Sequence, residues 1–183
     1  MDDIWTQFAI ISNNCWGGGW YRQHGRRYNT PFIGLFLFAA DYIQLMENFF
    51  GYIDLPLKIA PSSRYGKFGY PVGLLGDLEI HFLHYNSWEE SYEKWTRRVK
   101  RLPRDPKKWL IKSDNRDGCT PEMMERFSRL PFPHKISFSQ STFSYPKSRE
   151  NWHHVIIPDA NIMYPDTPKS FNVEAYINHI IME

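Results

Sequence analysis

Three stretches of the chain carry side chains whose types and spacing suit chemistry. The first is "ISNNCWGGG", where an apolar run ends at Asn13, Asn14, Cys15, Trp16 and Gly17 to Gly19. A glycine-rich turn after a strand presents free backbone N–H groups to an anion or an oxyanion. Asn13 and Asn14 would orient a substrate there, and the Gly17 and Gly18 amides would complete the donor site. Cys15 is the candidate nucleophile, because a helix N-terminus makes a thiol more acidic. The plain alternative is packing, with Cys15 and Trp16 buried and the glycines chosen for backbone freedom.

The second stretch is "GDLEIHFLHY". On a strand, side chains two apart share a face, so Asp77, Glu79 and His81 would face one way and His84 the other. Three such groups suit acid–base work, with His81 the first choice of base because its ordinary pKa lies near 6.5. No metal is assigned to them, since a spacing of two is not a diagnostic ligand pattern; a polar strand face is the plain alternative. The third stretch is "KWTRRVKRLPRDPKK", with eight lysines and arginines between Lys94 and Lys108. Arg97, Arg98 and Arg101 lie together on a helix opposite Trp95 and Val99, where they would hold a phosphate, serve an anionic membrane surface, or simply be solvated. A fourth segment, "SDNRDGCT", offers Asp114 and Asp117 to a cation or to Asx turns. No Walker A or G-x-G-x-x-G pattern is present, and without G-x-S-x-G a serine α/β-hydrolase lacks support; the sequence leaves the cofactor unknown.

The elements that must position these residues follow from periodicity. Strands are expected at Phe8–Ser12, Phe32–Phe38, Leu55–Ile59, Val72–Gly76, Leu78–Tyr85, Trp109–Ser113, Lys135–Ser139 and His153–Pro158. Helices are expected over Ala39–Phe50, after Ser87 with Glu90 completing a capping box, after Thr120 with Pro121 at the first position, and after Asn172. Alternating strands and helices predict a single α/β domain over residues 1–183, with a mostly parallel, Rossmann-like sheet flanked by helices. Ligands of such sheets bind at the carboxyl ends of the strands, where Cys15 would lie.

Composition sets bounds on function. The chain has 183 residues, with 42% hydrophobic and 23% charged, enough for a core. Aromatics reach 17%, a weak pointer to ring-binding sites. A net charge of +2 gives no global drive towards nucleic acid. Two cysteines fit thiols in a reducing compartment, and no stretch reaches the length of a membrane span. The acidic start "MDDIWTQF" does not read as a secretory signal, so a cytoplasmic location is expected.

Several segments, taken in order, resemble one uncharacterised bacterial family of unknown function whose members are often labelled exopolysaccharide biosynthesis proteins. The matching residues are "ISNNCWGG", "YNTPFIGLF", "DYIQLMEN", "YPVGLLGDLEIHFLHY", "EKWTRRVKR", "DGCTPEMMERFSRLPF" and "HKISFS", covering most of Phe8–Ser139. The resemblance implies a role in capsule or exopolysaccharide assembly and brings no catalytic residue with it. The expected function is a transferase acting on a sugar or lipid-linked sugar, with a nucleotide-sugar or acyl donor. In that scheme Asp77, Glu79 and His81 supply acid–base groups, and Arg97, Arg98 and Arg101 hold phosphate. A hydrolase or acyltransferase working through Cys15, and a non-catalytic glycan-binding or assembly module, are the alternatives.

Overall fold

In the computed structural model of the chain, the described residues are 7–140, 151–157 and 171–182. The acidic start of the sequence, residues 1–6, and Pro158 lie outside them. Four strands form one parallel sheet: β1 (Ala9–Ser12), β5 (Trp109–Asp114), β6 (Lys135–Ser139) and β7 (Trp152–Ile156), side by side in that order. The remaining strands, β2 (Leu57–Ile59), β3 (Val72–Leu75) and β4 (Leu78–His81), make a separate antiparallel sheet.

The expected mostly parallel sheet is therefore half right. The second sheet is antiparallel because β3 and β4 are joined by only Gly76 and Asp77, and a parallel pair needs a crossover of a dozen or more residues. Gly76 takes φ +65 at the first turn position, a conformation that glycine adopts without steric cost. The expected Phe32–Phe38 strand is also absent: Phe36 makes a single bridge to His81, and Gly34 turns the chain at φ +69. Tyr85 would lie 3.2 Å from a Cβ at that glycine, so the bend is also a close approach. Leu35 and Leu37 are nevertheless fully buried.

The parallel sheet is covered on both faces, as such sheets require. Strand alternation sends Ala9, Ile11, Trp109 and Ile111 towards a core shared with helices α2 (Ala39–Glu47) and α5 (Pro121–Arg129). It sends Ile10, Leu110, Ile136 and Phe138 towards α1 (Trp16–Gln23) and α6 (Val173–Met182). A short helix, α3 (Phe49–Tyr52), follows α2. The long helix α4 (Trp88–Val99) starts where the cap predicts: the Ser87 hydroxyl accepts the Glu90 N–H at 3.1 Å, while the Glu90 carboxylate accepts the N–H of Asn86 at 3.0 Å. Thr120 caps α5 in the same way, accepting the Met123 N–H at 3.3 Å. Among the described residues no helix is long and apolar enough to cross a membrane.

The glycine run does not form a loop. Gly17, Gly18 and Gly19 all lie within α1, although each costs the helix on the order of 1 kcal/mol relative to alanine. Packing explains one of them. A Cβ at Gly17 would sit 2.9 Å from Ile10 Cγ2 and 3.4 Å from Ser12 Cβ, both on fully buried residues. A Cβ at Gly18 would meet Ile33 at an ordinary 3.6 Å. Gly17→Ala is therefore expected to lower stability by about 1–2 kcal/mol, the overpacking cost less the gain in helix propensity. Gly18→Ala should be neutral or raise stability by up to about 1 kcal/mol. Urea denaturation of the two variants reads the contrast.

Candidate functional site

The carboxyl ends of β1 and β5 meet over a buried ion pair. Lys112 and Asp114 share one face of β5, and Lys112 Nζ lies 2.5 Å from Asp114 Oδ2 with both side chains fully buried. Two more acceptors complete the ammonium's set: Asn13 Oδ1 at 3.2 Å and Asn14 Oδ1 at 3.1 Å. Both asparagines also donate to Asp114, from Nδ2 at 3.3 and 2.6 Å. Arg116 closes the network, with its backbone N–H 3.1 Å and its guanidinium 2.9 Å from the same carboxylate. Burial alone would raise the Asp114 pKa, but the Lys112 and Arg116 charges outweigh it and hold the carboxyl well below the usual range. Burial pulls Lys112 down, and Asp114 opposes the shift. A buried pair is tolerated only when every remaining donor and acceptor is met, as here.

Asn13 and Asn14 thus have their side chains turned inward, holding the floor of the site. Asn14 Oδ1 also accepts the Trp16 N–H at 3.2 Å, so it satisfies one of the free amides at the start of α1. Cys15 stands between this floor and the surface. Its thiol donates to the Leu35 carbonyl at 3.7 Å. Burial pushes the thiol pKa up by more than Arg116 and Lys112 pull it down, so Cys15 rests protonated at neutral pH. Cys119 is pushed up further, to about 12, by burial and by two aspartates.

Asp117 follows the network at φ +56, the one non-glycine residue with positive φ among those described. The bend is held by the Asp117 carbonyl, which accepts the Ala39 N–H at the start of α2 at 2.9 Å. Burial and the Asp114 carboxylate raise its pKa to about 6. An acid with a raised folded pKa stabilises the fold most below its unfolded value near 4, and that contribution is lost as pH rises to about 6. Asp117→Asn is therefore expected to leave stability unchanged at pH 4 and to raise it by up to about 2 kcal/mol above pH 6, after allowing for solvent screening. Asparagine also tolerates positive φ. Thermal unfolding across that pH range checks the prediction.

Beside Cys15, α1 and α4 enclose a cavity of about 500 Å³, within the range of small-molecule sites. Cys15, Gly18, Gly19 and Arg22 line one wall at i, i+3, i+4 and i+7, a single face of α1. Tyr85, Lys94 and Arg98 line the opposite wall, and among the described residues no aspartate or glutamate lines the cavity. Arg98 is only 7% exposed, donates to the Tyr85 hydroxyl at 2.6 Å, and lies 5.0 Å from the centre of the Tyr28 ring. Among the described residues no carboxylate forms an ion pair with Arg98. The nearby Glu90 is engaged by Lys94 at 2.5 Å and by the Asn86 N–H. A buried cation with no counter-ion is costly unless an anion joins it.

The predicted site residues divide. Cys15, Gly18 and Arg98 line the cavity together, while Asn13 and Asn14 lie beneath it and Gly17 packs against β1. Arg97 pairs with Glu93 at 2.9 Å, and Arg101 donates to the Tyr28 carbonyl at 3.3 Å. Asp77, Glu79 and His81 do not line the cavity, nor do they act as one group. Asp77 is in the β3–β4 turn rather than on the strand, and its exposed carboxylate accepts from Gln44 at 2.8 Å and Tyr52 at 2.9 Å. Glu79 and His81 do share a face, with Oε2 and Nε2 3.4 Å apart. Glu79 anchors the loop before β3 by accepting from the Ser63 hydroxyl at 2.6 Å and the Arg64 N–H at 2.8 Å. Arg64 also pairs with Asp41. The His81 ring is fully buried among Phe36, Phe38, Tyr65, Phe68 and Tyr70, and burial lowers its pKa.

Sequence reasoning missed Lys112 and Arg22. Lys112 left one signal, a lysine inside the apolar run "WLIKS" on the face of Leu110. Arg22 left none once the glycines had been read as a turn.

An α/β fold that carries a basic cavity beside the first parallel strand is the class these features define. The chain belongs to the family described as Domain of unknown function (DUF1919), which it matches over residues 4–163. That span takes in β1 to β7 and every residue of the cavity. A Haemophilus influenzae protein described as "Uncharacterized protein" is 35% identical over 140 residues, which are 76% of this chain and 65% of that relative. The chain thus spans just under two thirds of the relative's length.

Proposed function

We propose that the chain is a transferase of exopolysaccharide or capsule assembly that binds an activated, phosphate-bearing sugar donor between α1 and α4. The observation that carries this reading is Arg98, a guanidinium 7% exposed that lines the cavity and has, among the described residues, neither a carboxylate partner nor an acidic residue on the cavity wall. Lys94 and Arg22 add positive charge, while Tyr28 and Tyr85 supply ring surface of the kind sugars and bases pack against. The polysaccharide setting comes from the family resemblance. A cytoplasmic location goes with it, since nucleotide sugars are made there.

In the transfer, an acceptor oxygen bonds to the anomeric carbon as the bond from that carbon to the donor phosphate oxygen breaks. The electron pair leaves on the phosphate, where Arg98 and Lys94 stabilise the developing charge. The acceptor proton passes to water, since among the described residues no aspartate or glutamate lines the cavity.

Thermal-shift measurement against UDP-glucose, GDP-mannose and acetyl-CoA tests the reading. A donor at a hundred times its Kd should stabilise the fold by about 2.7 kcal/mol, and no shift with any of the three would count against it. The Cys15-dependent alternative is separated by Cys15→Ser. The donor reading expects the same ligand-induced shift and turnover within a few fold, whereas complete loss of turnover with binding retained would favour a covalent thiol route. Donor binding without turnover in the presence of sugar acceptors would leave a glycan-binding or assembly role.

A further inference from the structure

We infer that Tyr85 is the positioning residue for Arg98: its hydroxyl fixes the guanidinium in the orientation that receives the donor's phosphate. The inference rests on the donor reading and deepens it. The chemistry of three groups sets the direction of each bond. The Tyr85 hydroxyl lies 2.6 Å from Arg98 Nη1 and 2.5 Å from the Ile33 carbonyl oxygen. A guanidinium only donates, and a carbonyl only accepts. The single phenol proton therefore goes to Ile33, and the phenol oxygen takes the Arg98 N–H. Burial raises the Tyr85 pKa by more than Arg98 lowers it, so the phenol keeps that proton near neutral pH.

The anchor is itself held. Phe36 and His81 exchange backbone hydrogen bonds, each at 2.9 Å, and the His84 N–H donates to the Gly34 carbonyl at 3.0 Å. The stretch that carries the Ile33 carbonyl is thus tied to the end of β4, a few residues before Tyr85. On the other side, the Arg98 guanidinium carbon lies 5.0 Å from the centre of the Tyr28 ring. A contact on its flat face and a bond at Nη1 together fix a rigid planar group. Among the described residues the guanidinium makes no other hydrogen bond. Nε and Nη2 are left as a fork for two oxygens of one phosphate. Lys94 meets the Tyr85 ring rather than its hydroxyl, with Nζ 5.6 Å from the ring centre. Removing the hydroxyl alone therefore separates the two cations.

Tyr85→Phe in the full chain tests the inference, because the ring stays and only the hydroxyl goes. The probes are UDP and GDP, titrated calorimetrically up to millimolar concentration. Tyr85→Phe should weaken the nucleotide that the wild type binds by about tenfold. The same change made in Arg98→Met should weaken it by less than about twofold, since no guanidinium is left to orient. Made in Lys94→Met, it should again cost about tenfold. Nitrogen NMR of the arginine side chains gives a readout that needs neither ligand nor variant. Arg98 Nη1 should rotate slowly in the wild type, unlike the same atom in the exposed Arg22 and Arg27, and Tyr85→Phe should free it. Fast Arg98 rotation in the wild type, no loss of affinity in Tyr85→Phe, or equal loss in the wild-type and Arg98→Met backgrounds overturns the positioning role and leaves the donor reading standing. No binding of either nucleotide to the wild type overturns the donor reading and this role with it.

Discussion

Lys112→Met should cost about 3–5 kcal/mol of stability, the usual penalty for removing one partner of a buried ion pair. The size follows from what is left behind. Asp114 would remain fully buried with one cation, Arg116, to offset its charge, and Asn13 and Asn14 would each lose a donor to Oδ1. The asparagines join β1 to β5 at the head of α1, so the loss should spread to the Cys15 wall of the cavity. In Lys112→Met/Asp114→Leu the unpaired charge is gone, and much of the loss should be recovered. Strong non-additivity between the single variants and the double is the signature of the network, read from urea midpoints. A loss below about 1 kcal/mol in Lys112→Met would mean that the pair is not dry. The pH dependence has a definite sign. Asp114 has a depressed folded pKa, so its contribution is present above the unfolded value near 4 and fades as pH falls through the folded one.

Arg98→Met should behave in the opposite way. Arg98 is a nearly buried cation with no carboxylate partner among the described residues, so replacing it with an apolar side chain of similar length should leave stability unchanged or raise it by about 1 kcal/mol. Tyr85 keeps its own bond to the Ile33 carbonyl at 2.5 Å, so the cavity wall should survive the change. Phosphate binding should not survive it. Losing a desolvated, charge-assisted contact costs about 2–5 kcal/mol, or more than about thirtyfold in Kd. A residue that holds the fold together cannot give both results. A variant that bound UDP normally, or one that lost 3 kcal/mol of stability, would mark Arg98 as structural.

Local chemistry was legible in the sequence, and long-range chemistry was not. Ser87, Thr120 and Asn172 announce their helices because a cap binds only three residues ahead, and each does so in the fold. The shared face of Glu79 and His81 follows from strand alternation alone. Asp77 was counted on the strand face of Glu79 and His81 because alternation cannot say where a strand begins, and Gly76 and Asp77 together make the turn. The glycines of α1 defeated propensity because their helix is held by Trp16 and Trp20, packed on the sheet. Lys112 could not be paired from sequence, since Asn13 and Asn14 lie about a hundred residues away and reach it only through β1–β5 pairing. Arg98 was legible as part of a basic run, but that no described carboxylate pairs with it is a property of the folded cavity.

The central claim is that Arg98 awaits a phosphate, and calorimetric titration of UDP-glucose into wild-type protein and Arg98→Met tests it most directly. Saturable binding to the wild type, weakened at least thirtyfold in a variant at least as stable, is the result predicted here. Equal affinity in the two proteins, or no heat in either across the nucleotide sugars, would contradict it.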